Sequence, residues 1–430
     1  MEAPRNNFAP EVLSPAGDLE SFYFAVDYGA DAVYCGAKQF GMRANAKNFD
    51  VSELKTAVNY AHEHGVKVYL TLNTLPTNSE VTELDAQILY AHEIGVDAII
   101  VADIGILMLA KRIAPDLHVH ISTQAGVVNY LTANELHNLG ASRVVLAREL
   151  NVNDISEIRA KTPAELEIEA FVHGSMCMAF SGRCLISKYL TGRGANEGDC
   201  AQPCRWEYAV TEKKRPNTEF DLLEATSSDE THILETGTYI MNAEDLCMIE
   251  YLDALYEAGV TSFKIEGRAK GLYYSVSTTH AYRNAKQSLL TSLKQGTNYA
   301  DELPKWVCDE VQKVSHRPYS TGFYLPDTAP AQSTEQSGYI REYMIVANSV
   351  SEGYFELRNK IVAGETLELI VPKSDLPPTT FTVTKIYDTA GHELDIATKT
   401  LQKVKVSATD DRVNGVLCGL PQNAILRKTV

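Results

Sequence analysis

Four of the chain's eight cysteines, Cys177, Cys184, Cys200 and Cys204, fall within 28 residues at the spacing C-x6-C-x15-C-x3-C. Thiolates bind structural zinc and iron–sulfur clusters, and in a reducing compartment such a group reads as a metal site before it reads as a disulfide framework. Zinc ribbons space paired cysteines about two to four residues apart, and the first pair here is wider. A 4Fe-4S cluster offers separated corners and tolerates the wider pair, so the spacing favours a cluster, with zinc and unligated thiols as the alternatives. The other four cysteines, Cys35, Cys247, Cys308 and Cys418, are scattered and read as small apolar residues.

Charged residues interleave with the thiols: Arg183, Lys188, Arg193 and Arg205 against Glu197, Asp199 and Glu207. Such cations either offset the charge of ligating thiolates or bind an anion, a carboxylate or an RNA phosphate. Further candidates stand at the carboxyl ends of predicted strands. His173, Glu149, Asp103, Gln124 and Glu266 are the candidate catalytic groups. Asn73, Arg148 and Arg268, with Arg43 on the loop after the second strand and the arginines 183, 193 and 205, are the candidate substrate-binding groups. Taken singly, each has an equally simple structural role as an ion pair or a cap. His173 in particular serves equally as an acid or base and as the end of a strand.

The elements that must position these residues recur as one unit: the end of a helix, a glycine, then an apolar run. It appears at "AVDYGADAVYCG", "AHEHGVKVYLTL", "AHEIGVDAIIVA", "LHNLGASRVVLA" and "LYEAGVTSFKIE", with Gly29, Gly65, Gly95, Gly140 and Gly259 at the helix C′ position. Continuous apolar runs fit parallel strands covered on both faces. With "EVLSP", "LHVHIS" and "EIEAFVHG" they make eight strands alternating with helices. That is the α/β pattern of a (β/α)8 TIM-like barrel, with an open doubly wound sheet as the alternative. About ninety residues separate strands seven and eight, so the thiols sit on a long insertion, about 174–238, at the face where such barrels carry their active sites. The catalytic domain is read as residues 1–317, a Pro/Ser/Thr/Gly-rich linker as 318–338, and a small all-β barrel as 339–430.

A formal net charge of −17 argues against non-specific coating of nucleic acid, though not against a local basic patch. From Tyr339 onward eleven basic side chains balance eleven acidic ones, so the surplus acid lies in the first 338 residues. With no secretory start and no apolar run long enough to span a bilayer, the expectation is a cytoplasmic protein with no membrane partner. A peptidase reading has weak local support: "HEHG" at His62 is not HExxH, Ser175 lacks the G-x-S-x-G turn, and Cys177 with His173 would leave three thiols unused.

The stretches "EAFVHGSMCMAFSGRCLIS" and "GRGANEGDCAQPCRWEY" resemble the signature of the U32 family, long catalogued as peptidases, with Glu169, Phe171, Gly174, Cys177, Gly182, Cys184 and Ser187 at the motif positions. "LSPAGDLESFYFAVDYGADAVYCG", "FKIEGRAK" and "HRPYSTGFY" extend the resemblance over the chain. It implies an RNA hydroxylase: 5-hydroxyuridine formation at the wobble position of tRNA, with prephenate as co-substrate and a 4Fe-4S cluster on Cys177, Cys184, Cys200 and Cys204. Cys35 is the candidate replacement for one ligand, since some relatives draw a ligand from elsewhere in the chain. Prephenate carries two carboxylates, which the arginine forks suit. Tyr189 and Trp206 flank the thiols as candidate platforms for an unpaired base. A collagenase-like peptidase and a zinc-stapled RNA-binding protein are the alternatives, and a homo-oligomer or a hetero-oligomer with another family member is compatible with each.

Overall fold

A computed structural model describes residues 9–38, 48–212, 232–325, 332–335, 338–351 and 353–430. The five expected glycines each follow a helix, with φ of 91°, 71°, 82°, 104° and 97°, the left-handed region a Cβ disfavours. Short polar caps start the helices: Asp18 accepts from Ser21 N, and Asp50 forms a capping box with Glu53.

The strands that follow run parallel and in order: β1 (Glu11–Pro15), β2 (Ala32–Gly36), β3 (Lys67–Leu72), β4 (Ala98–Val101), β5 (His118–Ile121), β6 (Arg143–Val145) and β7 (Glu167–Ser175). The chain then leaves the barrel through the cysteine segment. β8 (Tyr208–Glu212) and β9 (His232–Thr238) form a separate antiparallel pair, and β10 (Asp245–Cys247) lies antiparallel to β7. β11 (Ser262–Ile265) pairs in parallel with both β7 and β1. That double pairing closes the sheet into an eight-stranded parallel barrel and excludes the open doubly wound alternative.

Alternation along the strands sorts two cores. Val33, Leu70, Ile99, Val119, Val144 and Phe263 point outward into the layer shared with the helices. Each such buried aliphatic or aromatic side chain is worth about 1.5–3 kcal/mol. Leu13, Ala32, Tyr34, Tyr69, Ala98 and Ile100 fill the lumen. The amino end of the lumen is charged instead: Arg143 bridges Glu11 at 2.7 Å, Glu167 at 2.7 Å and Glu169 at 2.9 Å, and Lys264 meets Glu169 at 2.6 Å. The signature residue Glu169 is therefore the fully buried junction of two cations.

The segment read as a linker is strapped to the barrel. β12 (Tyr319–Ser320) pairs with β10, Val152 N donates to Tyr324 O, and the Tyr324 hydroxyl donates to the Phe171 carbonyl. Among its described residues, the backbone of Tyr319, Ser320, Tyr324, Ser333 and Thr334 is taken up by these and neighbouring segments.

Beyond it, Tyr343–Ser349, Phe355–Leu357, Thr366–Ile370, Thr379–Tyr387, Lys403–Ala408 and Ile425–Thr429 make a six-stranded antiparallel barrel, closed by pairing of the third and fourth. This small barrel is docked on the large one. Phe24, Tyr28, Val276, Ile370 and Ile425 form one apolar cluster, and Tyr28 Oη donates to the carbonyls of Ile370 and Asn423. Arg427, fully buried, pairs with Glu310 and with Glu368 at 2.7 Å.

Candidate active site

At the carboxyl ends of the strands lies a cavity of about 840 Å³, bounded by the barrel mouth, the cysteine segment and one edge of the small barrel. Arg148, three residues past β6, sets the floor. Its guanidinium lies 3.9 Å over the ring of signature residue Phe171 and donates to Ser181 Oγ at 2.9 Å and to the Glu266 carboxylate at 3.2 Å. One side chain thus ties three parts of the site together: a strand end, the cysteine segment and the loop after β11. Arg268 donates to Thr71 Oγ1 at 2.9 Å, and Lys264 closes the lumen below. On the β3–β5 side Asn73 Nδ2 donates to Ser122 Oγ, which contacts Gln124 Oε1, and Gln124 Nε2 is buried on the cavity wall without a hydrogen-bond partner.

The cysteine segment is braced from within. Ser187 Oγ donates to Arg193 O at 2.7 Å and accepts from Ala201 N at 2.9 Å, which fixes the approach to Cys200. Arg193 pairs with Asp199 at 2.8 Å and Lys188 with Glu197 at 2.9 Å. Arg183 Nε and Nη2 donate to the carbonyls of Gln124 and Ala125, pinning the segment to the end of β5. Gly182 approaches Gln124 so closely that a Cβ would stand 2.6 Å from its amide nitrogen. In "CAQPC", Gln202 takes φ 56° and its N–H points at Cys200 Sγ, 3.3 Å away, before Pro203 opens a 3₁₀ turn onto Cys204.

Cys177, Cys184, Cys200 and Cys204 are all free thiols on the wall of this one cavity. Burial raises the Cys204 thiol, with Arg205 lowering it and the nearby Cys177 and Cys200 raising it further. Among the described residues no three His, Cys, Asp or Glu side chains are grouped to hold a single metal ion.

Of the sequence candidates, the fold brings Asn73, Gln124, Arg148, Arg205, Glu266 and Arg268 to the cavity with the four cysteines. The others take structural positions. Asp103 caps the helix Ile104–Ile113 through Gly105 N and Ile106 N, while Arg183 and Arg193 brace the cysteine segment. Glu149 lies off the cavity wall, beside Tyr324, whose phenol is raised by burial, with Arg148 opposing and Glu149 adding to the rise. His173 is turned away by a register slip: Lys264 pairs with Phe171, but the next residue, Ile265, pairs with His173, so β7 carries one extra residue. Its ring sits between Tyr282 and Tyr319, whose hydroxyls lie 3.3 Å from Nδ1 and Nε2, and burial lowers its pKa to about 3. Cys35 faces the outer core rather than the cavity, with its thiol pushed up to about 12 by burial, so the cavity offers it no place as a substitute ligand. His62 of "HEHG" pairs with Asp97 at 3.0 Å. Arg43 and part of the polar segment after Glu212 lie outside the described residues. Tyr189 is 88% exposed and Trp206 42%.

Composition and spacing did not single out Lys264, Lys270, Tyr274 or Tyr339, all on the cavity wall. Lys270 closes the "FKIEGRAK" run and was within reach of sequence reasoning; Tyr339 stands after the strap and is brought in only by docking of the small barrel.

A (β/α)8 barrel with a thiol-bearing insertion on its catalytic face defines a class, and the chain's sequence assigns it within that class. The chain belongs to peptidase family U32, matching that family over residues 17–334 and the family's C-terminal domain over 341–427. It is 44% identical over 320 residues to an uncharacterized protease of Methanocaldococcus jannaschii, spanning 74% of this chain and 73% of that protein. It is 34% identical to tRNA hydroxylation protein P of Escherichia coli, spanning 91% and 92% of the two chains. To the 23S rRNA 5-hydroxycytidine C2501 synthase of E. coli it is 38% identical, spanning 65% of this chain and 40% of that one.

Proposed function

We propose that this protein is an RNA-modifying enzyme that hydroxylates a pyrimidine, with a wobble uridine of tRNA as substrate and 5-hydroxyuridine as product. The observation that carries the reading is the convergence of four free thiols and a bound guanidinium on one cavity at the barrel's catalytic face. The names of the tRNA- and rRNA-acting relatives support RNA hydroxylation as the class.

Four free thiols on the wall of one cavity are a donor set that would suit a 4Fe-4S cluster held by Cys177, Cys184, Cys200 and Cys204. Such a cluster supplies one-electron chemistry when bound. The chain's own groups would do the rest. Gln124 and Asn73 offer amide donors to a base, Tyr34 and Phe171 line the cavity, and Arg148 and Arg268 are forks for the carboxylates of a co-substrate such as prephenate. Glu266, hydrogen-bonded to Arg148, is the carboxylate available to take a proton. The peptidase reading has less support, because both nitrogens of His173 face tyrosine hydroxyls and neither serves Cys177.

Expression in a host whose own 5-hydroxyuridine synthesis has been deleted tests the reading by nucleoside mass spectrometry of tRNA. Restored 5-hydroxyuridine, lost on Cys204→Ser, is the expected result. Folded protein without any restored nucleoside would refute the substrate, and colourless, iron-free protein from anaerobic purification would refute the cluster.

A further inference from the structure

Of the cations that line the cavity, Arg268 donates to Thr71 and Arg341 to Ser315, and the remaining four contrast in their partners. Arg148 and Lys264 each face a carboxylate, at 3.2 and 2.6 Å, and Arg317 behind the wall is held by Asp245 at 2.5 Å. Arg205 and Lys270 also line the cavity, yet their contacts among the described residues are with neutral groups. Arg205 Nη1 donates to Tyr339 Oη at 2.7 Å. Lys270 Nζ lies 3.4 Å from the Ser315 carbonyl and 4.2 and 5.3 Å from the ring centroids of Tyr339 and Tyr274.

In a chain with 56 acidic residues against 39 basic ones, two half-buried cations on one cavity wall meet no carboxylate among the described residues; Arg159 and Lys111 are in the same position elsewhere, but their N–H groups are taken up by backbone carbonyls. Taking a charge out of water without a counter-charge is unfavourable. The cost is visible on Lys270, whose pKa burial lowers, with Arg205 and Arg317 adding to the effect against Tyr339 and Asp245. It is visible on Tyr339 from the other side: burial acts to raise the phenol, but Arg205, Lys270 and Arg317 outweigh it and, against Asp245, bring it below the ordinary tyrosine value. The three groups come from separate parts of the chain: the turn after Cys204, the loop after β11 and the entry to the small barrel. Local sequence therefore does not account for their meeting.

We propose that Arg205, Lys270 and Tyr339 form an oxyanion-binding site on the seam between the two barrels, taking a carboxylate or phosphate of the molecule that enters the cavity. Arg205 presents a fork, Lys270 a point charge oriented by two aromatic faces, and Tyr339 a hydroxyl that donates to the anion while accepting from Arg205. The site stands on the charges themselves; only the assignment of its anion to a nucleic acid or a small co-substrate rests on the proposed hydroxylation.

Isothermal titration of the full-length, anaerobically purified protein tests it, with malonate, inorganic phosphate and a tRNA transcript as probes at constant ionic strength. Wild type is expected to bind malonate or phosphate, and Lys270→Met and Arg205→Gln each to weaken that binding about tenfold or more. Because Lys270 contacts no carboxylate among the described residues, Lys270→Met should unfold no lower than wild type, a readout that a purely structural lysine would fail. A parallel loss of tRNA affinity with a shallower salt dependence assigns the anion to the RNA backbone; a loss confined to malonate assigns it to a small carboxylate. Equal affinities in wild type and both variants, or no anion binding by wild type, overturn the proposal. So does a loss of iron or visible absorption in Lys270→Met with unchanged anion affinity, which would make the cations partners of the thiolates. These titrations read no turnover, so failure of the hydroxylation reading leaves their outcome intact.

Discussion

At the scale of single residues, the site depends on side chains committed to one geometry. Arg148 joins Ser181, Glu266 and Phe171, and a lysine there keeps the charge but loses the fork. Arg148→Lys is expected to abolish most modification in the complementation assay while the protein still folds. Arg148→Met should also lower stability, by up to about 3–5 kcal/mol, since Glu266 loses its 3.2 Å pairing with Arg148 in a half-buried place. Wild-type turnover by Arg148→Lys would remove the arginine from the machinery. His173 and His280 bear on stability instead. Burial lowers both to about 3, against about 6.5 in the unfolded chain. Their contribution is therefore fully present above about pH 6.5 and is lost as pH falls toward 3, because the unfolded state binds the extra protons. Each should add a slope of about 1.4 kcal/mol per pH unit within that window. Chemical denaturation across pH 4–6 should show the slope reduced by one proton in His173→Gln; an unchanged slope would mean that the imidazole is hydrated.

At the scale of elements, the decisive feature is the end of β7. The extra residue opposite β11 turns His173 out, and Gly174, at φ 112°, then turns the chain into the cysteine segment. A Cβ there would lie 2.8 Å from both the side chain and the carbonyl of Glu266, with backbone on one side and no room to yield. Gly174→Ala should destabilise the fold by about 1–3 kcal/mol from its backbone conformation alone. It should also lower iron incorporation by displacing Cys177, which calorimetry and iron analysis read separately. Wild-type stability in this variant would mean that the bulge is not required. The same element bears on the two roles open to His173, acid or base and end of a strand. Strict alternation assigns His173 to the lumen with Phe171, but a bulge changes the parity of everything after it, and nothing in "EAFVHGS" announces one.

At the scale of the whole molecule, the small barrel completes the cavity, so its docking belongs to function. Arg427 is the largest polar commitment at the interface, fully buried against Glu310 and Glu368 beside Tyr273. Arg427→Met strands the buried Glu310 carboxylate, while Glu368 keeps Lys313 at 3.1 Å, and should cost about 3–5 kcal/mol. The expected signature is a calorimetric transition that splits in two as the barrels uncouple; a single transition at the wild-type temperature would show that the apolar cluster around Tyr28 suffices. The eight-stranded barrel, the C′ glycines and the placement of the thiols on its catalytic face were legible in the sequence alone, because hydrophobic period, turn glycines and insertion length are local properties of the chain. Six of the candidates reached the cavity, five because residues just past parallel strands lie near the mouth and Arg205 because it follows Cys204, although Asp103 and Glu149 show that a strand-end position alone does not decide where a side chain goes. What only the tertiary structure decided was how the remaining candidates are used. Asp103 became a helix cap, Arg183 and Arg193 braces, His173 a neutral core residue and Cys35 an outer-core thiol, while Lys270 and Tyr339 met across the seam. Those outcomes turn on distances between segments far apart in the chain and on which charges find a counter-charge when water is removed, and residue type and spacing do not encode either.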